Sequence, residues 1–266
     1  MKIGLVAGEA SGDVLGAGLI RAVREQIPDA VFEGVAGPEM AAAGCEQWEP
    51  SDSLAVMGIV EPLAHIPRLL RLRRELARRW RESPPDVFVG IDAPDFNLGL
   101  EKKLRRAGIR TAHYVSPSIW AWRPGRVKKV KKAADTVLCI LPFEPGLYEK
   151  HGVNAVFVGH PKAHEAPEVV DTEAARNRLG LGAGEVVAVM PGSRSGEVSR
   201  IGGIVAAAAK EIATTRPGIR FVTPVAMPKL RPLIEQQLRD AGIEKQFILL
   251  DGDSVLAMSA ADVVLQ

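Results

Sequence analysis

Cysteine is scarce: only Cys45 and Cys139 occur in 266 residues, far apart, in apolar surroundings and without a C-x-x-C spacing. A disulfide framework and a structural zinc site therefore have no support, and a reducing compartment fits best. Long apolar runs are missing as well. Nowhere do eighteen uninterrupted apolar residues occur, which argues against a membrane-spanning helix. The opening stretch "MKIGLVAGEASGD" carries Glu9 and Asp13, the wrong chemistry for a secretory leader, so a cytoplasmic location is expected. Histidines number five, and His113 and His160 have no partners at ligand spacing. Both read as structural or polar pocket residues, and no metal is assigned. Internal repeats and low-complexity tracts are also absent.

What is present is ordinary globular composition, 47% hydrophobic and 25% charged, with length enough for two domains that each bury a core. The net charge is only +2, yet basic residues are unevenly placed. Residues 62–81 hold seven arginines and residues 123–132 hold six Lys or Arg. Such clusters suit an anionic partner, and equally a solvated helical face.

Short β-branched runs recur, each followed by a turn and a helical pattern: 2–8, 30–37, 86–92, 110–117, 136–142 and 155–161, then 185–192, 219–226, 246–252 and 262–266. Apolar strands alternating with helices predict an α/β protein with parallel sheets covered on both faces. Two similar halves follow, 1–165 and 166–266, with a boundary near 162–170. The last apolar run ends at Gln266 without a helix to cover it, so the second half is expected to be incomplete.

In open α/β sheets the carboxyl ends of the strands line the ligand crevice, and the chemistry is sought there. The first strand opens into "AGEASGDVLGAGLI", whose spacing is not G-x-G-x-x-G and whose acids would repel a pyrophosphate, so a dinucleotide cofactor is rejected. Glu9, Ser11 and Asp13 suit sugar hydroxyls; Ser11 or Asp13 could equally cap the helix. "VGIDAPDFN" sets Asp92 at the end of a buried strand, with Pro94 and Asp95 behind it, where a carboxylate can act as a general base or simply cap a helix. In "VMPGSRSGEV", Gly192, Ser193, Arg194 and Glu197 form a strand–turn–helix whose amides and guanidinium suit a diphosphate, the plainer reading being an ordinary β–α turn. It lacks the G-K-[ST] of a P-loop. In residues 54–81, Leu69, Leu72, Leu76 and Trp80 recur at helical spacing beside Arg68, Arg71, Arg74 and Arg78. That pattern fits a helix lying on an anionic membrane as well as one covering a sheet.

With these residues in view, the chain resembles the lipid A disaccharide synthases, glycosyltransferases with two Rossmann-like domains of the GT-B type. "LVAGEASGDVLGAGLI", "GVAGPEM", "LAVMGIVE", "VFVGIDAPDFN", "HYVSPSIWAWRPGRV", "LPFEPGLY", "VGHP" and "MPGSRSGEV" match that family's motifs in order, over essentially the whole chain. The resemblance implies an N-terminal acceptor-side domain and a partial C-terminal nucleotide-sugar domain. It implies transfer of a 2,3-diacylglucosamine unit from UDP-2,3-diacylglucosamine to 2,3-diacylglucosamine 1-phosphate (lipid X), giving a β(1→6) disaccharide 1-phosphate and UDP. The donor is α-linked and the product β-linked, so the reaction is a single inverting displacement needing neither metal nor cofactor. Asp92 would be the base, Ser193 and Arg194 would meet the departing diphosphate, and Glu9, Ser11 and Asp13 would position sugars. Trp120 and Trp122 would sit at the crevice rim, with Arg123 and Arg126 beside them for the acceptor phosphate or anionic headgroups. The enzyme would lie peripherally on the inner membrane, with Leu69, Arg71, Leu72, Arg74, Leu76 and Arg78 towards lipid, and a homodimer is one assembly it allows.

The chain departs from the family after "VGHP", where "KAHEAP" replaces an apolar residue and an Asp-containing turn. Members of the family also run on for roughly another hundred residues, about the size of a small domain. A second expectation, from a different class, is therefore a non-catalytic lipid- or nucleotide-binding remnant. Nucleic acid is not expected as a partner, because the aromatics lie on one side only of the basic run.

Overall fold

Apolar strands separated by helix-length segments cannot pair as hairpins, and the computed structural model shows the parallel arrangement this dictates. It describes residues 1–54, 62–120, 124–161, 163 and 168–266, with the backbone alone at 62–65 and 124. Trp122, Arg123, most of "LAVMGIVE" and most of "KAHEAP" lie outside the described residues. The chain divides into two compact units, Met1–Glu165 and Ala166–Gln266.

The first unit holds β1 (Lys2–Ala7), β2 (Val31–Ala36), β3 (Cys45–Pro50), β4 (Val87–Ile91), β5 (Arg110–Tyr114), β6 (Thr136–Cys139) and β7 (Asn154–Phe157). They form one sheet in the order β3-β2-β1-β4-β5-β6-β7. The order reverses between β1 and β4, where Ala7 pairs with Ile91 in parallel register. Successive residues of β1 serve opposite faces, as a strand's two-residue period requires. Leu5 and Ala7 pack with Ile20 of α1 (Ala10–Gln26) and Met40 of α2 (Pro38–Ala42), whereas Val6 packs beneath α3 (Pro62–Glu82) and α4 (Pro94–Arg106). Beyond β5 lie α5 (Val127–Ala133) and α6 (Glu144–Glu149). The edge strand β3 has no apolar run to announce it. Glu46 and Gln47 are exposed there, and charge on an edge discourages pairing with other chains.

The stripe on α3 is core, which corrects the membrane-facing assignment of its leucines. Trp80 is fully buried, Leu76 nearly so, and Leu69 and Leu72 pack against the same cluster. Trp80 stands edge-on to Phe88 at 4.9 Å, and its indole N–H donates to Glu33 Oε1 at 3.0 Å. An amphipathic helix buries its apolar stripe against a sheet whenever one is available, and here the sheet is. Arg71, Arg74 and Arg78 are exposed on the remaining surface.

The second unit holds β8 (Val186–Val189), β9 (Arg220–Val225), β10 (Phe247–Asp251) and β11 (Val263–Leu265), all parallel, in the order β10-β9-β8-β11. Its helices are α7 (Thr172–Arg178), α8 (Ser195–Thr215), α9 (Arg231–Ala241) and α10 (Ser254–Ala260). Val198, Val205, Ile234 and Leu238 belong to one core cluster, and Ala175, Val222 and Ala257 to another. Here the order reverses between β8 and β11, so the turn after β8 lies at this unit's own switch point.

Candidate active site

Asp92 follows the last residue of β4 at the switch point of the first sheet. Its N–H still donates to Tyr114 O at 2.8 Å, but the chain then turns left-handed, with φ of +49° at Asp92 and +42° at Ala93. Non-glycine residues held there cost roughly 1–3 kcal/mol each and persist only where the surroundings enforce them. Ala93, rather than Asp92, is the N-cap residue of α4, and Pro94 begins the helix. Gly8 at the end of β1 makes room, because a methyl group on it would meet Ala93 Cβ at 2.8 Å.

Enforcement comes from Asn97, which the sequence reading passed over. It is fully buried, and its amide Nδ2 faces Asp92 O (2.8 Å), Ile91 O (3.2 Å) and Val6 O (3.3 Å). One side chain thus ties both sides of the β1–β4 reversal to the turn. One turn further on, Glu101 Oε1 lies 2.7 Å from His113 Nδ1, both residues fully buried. A methyl on Gly90 would overlap that carboxylate, which explains a glycine inside a central strand. His113 is structural, and its partner was invisible in sequence because it arrives from α4, twelve positions earlier.

Beside Asp92 lies a cavity of about 530 Å³ lined by Glu9, Leu54, Ile66, Leu69, Leu70, Arg73, Asp92, Ala93, Pro94, Asp95 and Phe96. The structure thus brings Glu9, Asp92 and Asp95 together. Glu9 is exposed at the N-cap of α1, and Ser11 is exposed in the first turn of that helix. Asp95 binds Arg126, whose Nη2 reaches Oδ1 at 2.9 Å and Oδ2 at 3.1 Å. Trp120 is half-exposed and edge-on to Phe143, centroids 5.4 Å apart.

Asp13 is a correction. It is buried, and it does not cap its own helix. Its Oδ1 accepts from Gly37 N (2.8 Å) and Met40 N (3.0 Å), and Oδ2 from Glu39 N (2.9 Å). The carboxylate closes the N-terminus of α2, where free amides and the helix dipole favour a negative charge. "ASGD" and "GVAGPEM" are therefore two halves of one structural contact, and Asp13 has no place in a sugar site.

In the second unit, Gly192 has φ +117° and opens the turn between β8 and α8, with Arg194 as the N-cap residue. Glu197 corrects the expected diphosphate cradle. Its Oε2 accepts from the backbone N–H of Ser193 (3.1 Å) and Arg194 (3.3 Å), and Oε1 from Arg194 Nη1 (3.0 Å). A carboxylate cannot join the shell of another anion; here it occupies the amides such an anion would use. Burial raises its pKa, but the hydrogen bonds from Ser193 and Arg194 outweigh burial and hold it below the ordinary carboxylate range.

Neither thiol is poised to react. Burial is the largest cause pushing both Cys45 and Cys139 up to about 12, with nearby carboxylates adding to it. Among the described residues no helix is long and apolar enough to cross a membrane, and no group of His, Cys, Asp or Glu side chains could hold a metal.

A family model described as lipid-A-disaccharide synthetase matches residues 3–266. The lipid-A-disaccharide synthase of Pseudomonas aeruginosa (strain UCBPP-PA14) is 52% identical over 267 residues, spanning 100% of this chain and 70% of its own. That of Alkalilimnicola ehrlichii is 49% identical over 268 residues, with the same coverage. Among solved structures, the UDP-GlcNAc 2-epimerase of Neisseria meningitidis bound to UDP-GlcNAc superposes with TM-score 0.66 at 11% identity, covering 99% of this chain and 77% of that one. MurG of Acinetobacter baumannii does so with TM-score 0.55 at 12%, covering 99% and 70%. At such identities the likeness speaks to fold alone, two Rossmann-like units of the GT-B type. The sequence matches go further: this chain belongs to the lipid-A-disaccharide synthetase family, hexosyltransferases of lipid A biosynthesis.

Proposed function

We propose that the chain joins UDP-2,3-diacylglucosamine to lipid X, forming the β(1→6) disaccharide 1-phosphate and releasing UDP, with Asp92 as the general base. The observation that supports this most is the held left-handed turn at the switch point, which sets a carboxylate at the rim of a largely apolar cavity. In the step itself, the Asp92 carboxylate takes the proton of the acceptor's 6-hydroxyl. O6 forms its bond to the donor's anomeric carbon as the bond from that carbon to the diphosphate oxygen breaks, and the electron pair leaves with UDP. Glu9 and Ser11 orient sugar hydroxyls from the neighbouring helix start.

In the second unit, the Ser193 hydroxyl and the Arg194 guanidinium are the groups this reading assigns to the donor's diphosphate. Arg71, Arg74 and Arg78 face anionic headgroups of the inner membrane, each adding about 1 kcal/mol near the surface. The test is release of UDP from the diacylated donor by the purified chain. Release that requires lipid X and yields a β-anomeric product supports the reading. Tight donor or acceptor binding with no release would support the binding-remnant reading instead.

A further inference from the structure

Two stretches that the transfer step leaves without a role, "HYVSP" and "LPFEPGLY", meet inside the first unit. Tyr148 of α6 is fully buried in the core cluster that holds Leu98, Ile119, Val130 and Val137. Its hydroxyl lies 2.9 Å from the Oγ of Ser116, itself buried just past the end of β5. A phenol in an apolar core costs free energy unless its hydroxyl is bonded, and phenylalanine would fill nearly the same space. Ser116 Oγ donates its one hydrogen to Pro117 O at 3.2 Å, which makes Tyr148 the donor of the pair. Burial is the largest cause pushing the Tyr148 hydroxyl up to about 12; the Ser116 hydrogen bond opposes it, and Cys139 and Glu144 add to it. The hydroxyl therefore keeps its proton near neutral pH.

What this bond opposes is the conformation of Val115, whose φ is +75°. A β-branched residue is a true outlier there, disfavoured by roughly one to two powers of ten in population unless its surroundings enforce it. Val115 N–H donates to Leu138 O of β6 at 3.0 Å, and the carbonyl of the same peptide group, Tyr114 O, accepts the Asp92 N–H at 2.8 Å. One peptide plane thus ties β6 to Asp92, and φ at Val115 is the torsion joining that plane to the chain beyond. Were Val115 to relax to negative φ with Ser116 in place, the plane would tilt away from one of its two partners. Asn97 holds Asp92 by its carbonyl, and this peptide holds it by its N–H.

We propose that Tyr148 and Ser116 are positioning residues for Asp92: their hydrogen bond keeps Val115 left-handed, and so keeps the Tyr114 carbonyl on the Asp92 amide. The consequence for catalysis rests on Asp92 being the base; the hold on the turn does not.

The experiment crosses Tyr148→Phe with Val115→Gly in the full chain. Glycine adopts positive φ without the penalty, so in a Val115→Gly chain nothing is left for the hydroxyl to enforce. The first readout is amide exchange by NMR, which needs no substrate. In Tyr148→Phe the Asp92 and Val115 amides are expected to exchange faster by about tenfold or more. The amide of Asp135, bonded to Thr111 O at the far end of β5, is expected to keep its rate. In a Val115→Gly chain, Tyr148→Phe is expected to leave Asp92 exchange nearly unchanged. Ser116→Ala removes the same bond from the other side, is expected to repeat the pattern, and serves if Tyr148→Phe fails to fold. The second readout is single-turnover transfer from UDP-2,3-diacylglucosamine to lipid X. Tyr148→Phe is expected to slow it by about tenfold or more at unchanged donor affinity, and to have little effect on it in a Val115→Gly chain.

Equal acceleration at Asp92 and Asp135, or the same effect of Tyr148→Phe with and without Val115→Gly, would mean that Tyr148 only packs the core; either overturns the proposal. Unaltered Asp92 exchange in both Tyr148→Phe and Ser116→Ala overturns it as well. Exchange that changes as expected while transfer does not refutes the positioning role. If the wild-type chain releases no UDP, the transferase reading fails while exchange still decides the hold on the turn.

Discussion

Replacing Asn97 by alanine and by aspartate separates hydrogen bonding from packing at the turn that presents Asp92. The amide nitrogen has two hydrogens and faces three carbonyl oxygens, at 2.8, 3.2 and 3.3 Å. Alanine removes at most two bonds, each contributing about 1 kcal/mol net, and leaves carbonyls of a buried turn without a donor. It also removes Oδ1, a buried acceptor with no partner among the described residues, which offsets part of the loss. The expected destabilisation is about 1–3 kcal/mol. Aspartate keeps the shape but aims a carboxylate at three carbonyl oxygens in a site with no solvent exposure. An uncompensated buried charge costs about 3–5 kcal/mol, so the closer isostere is expected to do more harm.

Urea unfolding followed by tryptophan fluorescence reads the relevant unit alone, because all four tryptophans fall within Met1–Glu165. With a slope of about 2 kcal/mol/M, the midpoint should fall by roughly 1 M for Asn97→Ala and clearly further for Asn97→Asp. If Asn97→Asp is as stable as Asn97→Ala or more so, packing rather than hydrogen bonding holds the turn, and the reasoning fails.

Three further outcomes are expected. Trp80→Ala should lower the stability of the first unit by about 3–5 kcal/mol, as for other buried tryptophans; a loss below 1 kcal/mol in the same urea assay would show that α3 is not anchored there. Glu197 has a folded pKa below its unfolded value, so its contribution is complete above about pH 4.5 and is lost as pH falls through the lower folded value. Glu197→Gln should flatten that acid-side dependence of the second unit's unfolding, and an unaltered pH profile would contradict the hydrogen-bond assignment. Reversing Arg71, Arg74 and Arg78 to glutamate should weaken cosedimentation with phosphatidylglycerol vesicles by roughly two orders of magnitude at moderate salt, and undiminished binding would exclude these arginines as the membrane-facing surface.

Most of the architecture was legible because parallel strands read as short apolar runs, and ten such runs coincide with strands, the fully buried β8 and the more exposed β7 and β11 alike. The eleventh, β3, carries Glu46, Gln47 and Glu49 on an exposed edge, where no apolar period is needed. Asp92 was findable from its place after a buried strand. Its support was not: Asn97 acts through α4, and only the folded chain shows it facing Val6, Ile91 and Asp92, or Glu101 meeting His113. Asp13 and Glu197 were misread for one physical reason. A carboxylate near a helix start reads as a ligand group, yet free amides at that place attract the protein's own carboxylate first, across 24 residues for Asp13 and within one turn for Glu197.

The central claim is that Asp92 takes the acceptor's proton, and the most direct measurement is single-turnover product formation by Asp92→Asn with donor affinity measured alongside. General-base catalysis typically contributes about 10²–10⁴-fold. The expected result is a fall in rate of that size at nearly unchanged donor affinity. Turnover equal to wild type, or a loss wholly explained by weaker donor binding, would contradict it.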